Sequence, residues 1–120
     1  MMFKVSENLL GTVDISREAV QTIAGLAAMD CYGLVGMVPR KWAEGISDIL
    51  GRESVRRGVE VKEEEDGLVV DVFVVISYGT KISEVALNIM QKVRYVMQEI
   101  AGLKVAKVNV NVQSVRVIKD

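Results

Sequence analysis

The chain has 120 residues, half of them apolar and 26% charged, with 15 Lys and Arg against 16 Asp and Glu. This composition excludes a disordered chain, and a net charge of -1 supplies no overall attraction to nucleic acid or anionic lipid. Histidine is absent and Cys31 is the only cysteine, which excludes an intrachain disulfide, Ser-His and Cys-His nucleophile pairs, and a Cys-rich zinc site.

Residues 1–10 read as a loosely held lead-in, and residues 11–118 as one domain. Charges interrupt the apolar residues at the N-terminus, so it lacks the core of a signal peptide, and no stretch is apolar for long enough to span a membrane. Residues 12–15 form a strand candidate with Val13 and Ile15 on one face. Ser16 is placed to cap a helix whose apolar stripe is Val20, Ile23, Ala24, Ala27 and Cys31. Small residues on that stripe (Ala24, Gly25, Ala27, Ala28) allow a close neighbour. Residues 34–38 are a short apolar strand candidate stopped by Pro39.

Trp42, Ala43, Ile46, Ile49 and Leu50 fit a short amphipathic helix, with Gly51 as its C-terminal cap. Residues 59–62 and 68–78 read as a hairpin around the acidic turn 63–67. Its second strand is apolar on both faces. Val70, Val72, Val74 and Ile76 share one face, while Val69, Phe73 and Val75 interrupt the other, so something must cover part of it. Ile82, Val85, Ala86, Ile89, Val93, Val96 and Met97 mark a long helix capped by Thr80 or Ser83 and stopped at Gly102. The last strand alternates Val108, Val110, Val112 with Asn109, Asn111, Gln113, and changes parity near Ser114, as a bulge would require. The order is β-α-β-α-β-β-α-β. It implies a two-layer α+β fold, with a mixed sheet carrying the two longer helices on one face.

Candidate chemistry is sparse. No Walker A sequence and no dinucleotide fingerprint occurs, so no cofactor and no metal is expected. Glu63, Glu64, Glu65 and Asp66 read as a solvated turn, and Asp71 as a strand-face charge beside a basic partner, rather than as catalytic acids. Gly33-Leu34-Val35-Gly36 matches the Gly-x-x-Gly loop that clamps nucleic-acid backbone, but Leu and Val stand where such loops are polar. Cys31 reads as core packing rather than a reactive thiol, and Trp42 as either a core anchor or a partner hot spot. The main positive feature is a basic group, Arg40, Lys41, Arg52, Arg56 and Arg57, beside Trp42. Together these six are the candidate partner-binding residues. Val69, Phe73 and Val75 are the candidate self-association patch.

Gly11-Thr12-Val13-Asp14-Ile15-Ser16, Ile23-Ala24-Gly25-Leu26-Ala27 and Gly33-Leu34-Val35-Gly36-Met37 resemble the opening of the alkaline shock protein family, the bacterial envelope-stress-response family. Gly51-Arg52-Glu53-Ser54-Val55, Gly58-Val59-Glu60-Val61, Val70-Asp71-Val72 and Gly102-Leu103-Lys104-Val105 continue the match, so that it covers nearly the whole chain. The resemblance implies a cytoplasmic, non-catalytic protein of Gram-positive-type bacteria, held near the membrane by a membrane-anchored partner, with no catalytic residues to assign. The reading is therefore an interaction or scaffold protein that self-associates, as a dimer or higher homo-oligomer, and does not itself insert into the membrane. The alternative is a nucleic-acid-binding module using Arg52, Arg56 and Arg57. A small enzyme using Asp71 or the 63–66 carboxylates ranks last.

Overall fold

The computed structural model describes residues 1–42 and 49–117, and of Arg52 and Glu53 it describes the backbone. In chain order the elements are β1 (Met2–Asn8), β2 (Gly11–Ser16), α1 (Arg17–Met29), β3 (Leu34–Met37), a 3₁₀ helix (Arg52–Gly58), β4 (Val59–Glu64), β5 (Gly67–Ser77), α2 (Ile82–Tyr95), a π turn (Val96–Ile100) and β6 (Val105–Arg116).

Strand β5 organises the main sheet. Its first half pairs antiparallel with β4, its second half antiparallel with β3, and its other edge takes β6 in parallel along its whole length. A parallel neighbour needs a crossover, and α2 supplies it. The expected mixed sheet, with α1 and α2 on one face, is the observed architecture. The bulge expected near Ser114 falls where the β5–β6 register slips between Val74 and Val75.

The helix-side core holds Val20, Ala24 and Ala27 of α1, Val70, Val72 and Val74 of β5, Ile89 and Val93 of α2, and Val108 of β6. Ile23, Val96 and Val110 pack against it from its margin. Ser16 caps α1 as expected, its Oγ accepting from the Ala19 amide at 3.1 Å. Gly25 lets α1 close on the 3₁₀ helix, since a Cβ there would lie 2.7 Å from Val55 Cγ2. Gly102 ends the second helical segment in the left-handed region (φ 74°), and the Leu103 amide returns to the Met97 carbonyl at 2.9 Å, so Leu103 folds back into the core.

Three expectations are corrected. Residues 1–10 are not a loose lead-in: β1 pairs with β2 from Met2↔Ser16 to Asn8↔Gly11, and Phe3 is buried in the core. Alternation of Phe3 and Val5 with Lys4 and Ser6 is the strand signal, and the Asn8 side chain accepts from the Leu10 amide to form the turn. Neither Thr80 nor Ser83 caps α2. Lys81 stands at its N-cap without a side-chain bond, and the Thr80 hydroxyl donates instead to the Ser77 carbonyl at 2.7 Å. Gly51 is extended and precedes the 3₁₀ helix rather than closing a helix before it. The expected helix around residues 42–50 falls mostly on residues 43–48, outside those described. Leu50 at its end instead bridges to Met37 as a strand residue.

Candidate interaction surfaces

The basic group is divided by the fold. Arg40 lies over the sheet's outer face, with its guanidinium 4.8 Å from the Phe73 ring centre and its Nε donating to both Glu60 carboxylate oxygens at 2.9 and 2.8 Å. That hydrogen bond holds Glu60 below the usual carboxylate range. Arg40 is thus tied to its own chain. Lys41 is exposed, and Trp42 is half-buried with the Arg116 guanidinium 5.7 Å from its ring. The 3₁₀ helix carrying Arg52, Arg56 and Arg57 packs beside α1, with Val55 in the helix-side core and Arg56 and Arg57 exposed at its end. Arg40 thus stands over the outer face of the sheet, and Arg56 and Arg57 on a segment that packs beside α1.

The candidate self-association patch is also corrected. Phe73 is 2% exposed and Val75 fully buried. They form a second small core with Val38, flanked by Val35, Trp42 and Ile49. Residues 35–42 and Ile49 of the same chain cover the outer face of β5 at that end, because an apolar β5 face left in water would lose its burial. Val69, half-buried, lies beyond that cover.

The remaining candidates for chemistry resolve to packing or solvent. Gly36 is buried within β3 and pairs with Val75, so Gly33–Gly36 offers no phosphate-clamping loop. Glu63, Glu64, Glu65 and Asp66 are all exposed. Asp71 accepts from Asn109 Nδ2 at 3.0 Å. No cluster of three metal-capable side chains and no buried charged or polar residue occurs among the described residues. Cys31 is partly buried, and burial raises its thiol pKa. At pH 8 it is expected to react with a disulfide reagent several-fold more slowly than free cysteine, with the difference disappearing in denaturant. A rate equal to that of free cysteine in the folded protein would contradict this.

The β1–β2 hairpin is the surface that the sequence reading missed. Its base is held by Phe3 in the core and by Val5 and Ile15 at the margin, yet from Ser6 through Asp14 every residue is exposed. Leu9 and Leu10, at its tip, are fully exposed. The radius of gyration is 15.0 Å, against roughly 13.5 Å for a compact chain of this length, and the long axis reaches 55 Å. This hairpin is a projecting arm with an apolar point.

The profile of the alkaline shock protein family, described as having a cell envelope-related function, matches residues 5–117. The chain belongs to the alkaline shock protein family. An uncharacterised protein, YloU, of Bacillus subtilis is 46% identical over 108 residues, covering 89% of this chain and 90% of YloU. Another, Spy1614 of Streptococcus pyogenes, is 36% identical over 111 residues and 92% of each chain. A solved structure entitled MamM CTD M250L superposes with a TM-score of 0.49 at 15% identity, over 81% of this chain and 95% of that one. No helix among the described residues is long and apolar enough to cross a membrane.

Proposed function

We propose that this alkaline shock protein family member is a non-catalytic interaction protein of the cell envelope, which self-associates and is held at the membrane by an anchored protein partner. The observation that carries this reading is the arm, two fully exposed leucines raised on a hairpin that nothing among the described residues covers. An exposed apolar point stabilises nothing in the isolated molecule, and its burial against a partner is what would reward it. The acidic side chains Glu7 and Asp14 flank the tip, which favours a protein groove over an anionic lipid surface.

The test is localisation of a fluorescent fusion in the producing bacterium. The wild type should line the cell periphery, and Leu9→Asp with Leu10→Asp should become diffuse. Because neither leucine touches the core, the double variant should unfold within about 0.5 kcal/mol of wild type. A diffuse wild type, or a double variant that stays at the periphery, would overturn the reading.

A further inference from the structure

We propose that two copies of this chain join through the free edge of β6, pairing antiparallel about Val110 to make one continuous sheet. This deepens the self-association within the proposed function and names its surface. Strand β6 pairs with β5 alone, so its second edge has no strand partner among the described residues. Arg94 takes the carbonyls of Val105 and Ala106 at 3.1 and 3.4 Å, which leaves the edge from residue 107 onward. Edge strands that must stay single carry lysine, other charges or proline. Residues 108–115, Val-Asn-Val-Asn-Val-Gln-Ser-Val, contain none of these.

The sequence of this edge selects a second copy over another extended chain. Val108-Asn109-Val110-Asn111-Val112 reads the same in both directions. A two-fold axis at Val110 therefore sets Val108 against Val112, Asn109 against Asn111, and Val110 against itself. The match continues outward to Lys107 opposite Gln113. Across residues 107–113 no like charges meet, and apolar residues face apolar residues on the helix side of the joined sheet. Isologous two-fold contacts demand this self-complementarity, whereas a foreign strand would not. Val112 and Val115 are 37% and 36% exposed in the single chain, and a neighbouring strand would shield them.

The experiment has two arms. Light scattering at high micromolar concentration should give the mass of two chains for wild type and of one for Asn109→Lys with Asn111→Lys, which sets lysines against each other across the axis. In a Cys31→Ala background, Asn109→Cys mixed with Asn111→Cys should form an intermolecular disulfide on oxidation, because facing residues lie within the ~4.4–6.8 Å Cα separation a disulfide requires. Asn109→Cys alone should not, since its copies stand two residues out of register, a diagonal separation of about 8 Å. A monomeric wild type overturns the proposal, as does a dimer whose mixed cysteines fail to cross-link or whose single cysteine links equally well. The cross-link decides the matter even if the lysine variant unfolds. Failure here is separable from failure of the arm, because Leu9→Asp with Leu10→Asp should leave the dimer mass unchanged.

Discussion

Replacing Ile89 by Asp is expected to lower stability by about 4 kcal/mol or more and the melting temperature by at least roughly 12 °C, read by circular dichroism. Ile89 is fully buried in the middle of α2, in the layer shared with Val72, Val74 and Val93. A carboxylate there loses its water and gains no partner, since the described residues around it bury no polar side chain that could pair with it. Ile89→Val removes one methylene from the same place and should cost only about 1 kcal/mol, which separates the charge effect from the cavity effect. An Ile89→Asp melting temperature within a few degrees of wild type would contradict the position of α2 on the sheet.

Replacing Phe73 by Glu is the second large effect, and its character differs from what an exposed interface would give. The ring lies beneath Val38, Trp42 and Ile49 and under the Arg40 guanidinium, so the substitution should destabilise each chain by about 3 kcal/mol or more and leave the mass of the folded species unchanged. Trp42 is the only tryptophan and packs against this small core, so its emission should shift to the red as its seat is lost. A fall in mass with stability and emission unaltered would return Phe73 to an interface.

Most elements were legible because periodicity and burial agree in them. The α2 stripe from Val85 to Met97, the β4–β5 hairpin and the alternation of β6 each bury one set of residues against one layer, so the pattern carries the position. Where side chains bind locally, the pattern is silent. The Thr80 hydroxyl could cap α2 or bond the Ser77 carbonyl, and sequence spacing does not distinguish the two. The hairpin arm was hidden for the opposite reason. Its strand alternation is present at Phe3 and Val5, but the leucines at its tip occupy a turn where polar residues are the rule. The outer face of β5 was correctly read as needing a cover. Which residues supply it depended on how the chain returns after Pro39, and no periodicity encodes that return. The basic residues looked like one group along the chain because sequence proximity conceals that Arg40 and the 3₁₀ helix pack against different layers.

The central place of β5 also bears on how the chain is made. Strands β3, β4 and β6 all bond to β5 and to no other strand of the main sheet. On the ribosome, synthesis runs from the N-terminus, so residues 1–66 emerge with α1, β3 and β4 complete and no ladder for either strand to join. The arm alone can pair at that stage. Once Ser77 has cleared the exit tunnel, β3 and β4 can dock on β5 together. Until then the apolar side chains of Met37, Val59 and Val61 are exposed on the nascent chain, in the interval when a chaperone would have most to hold.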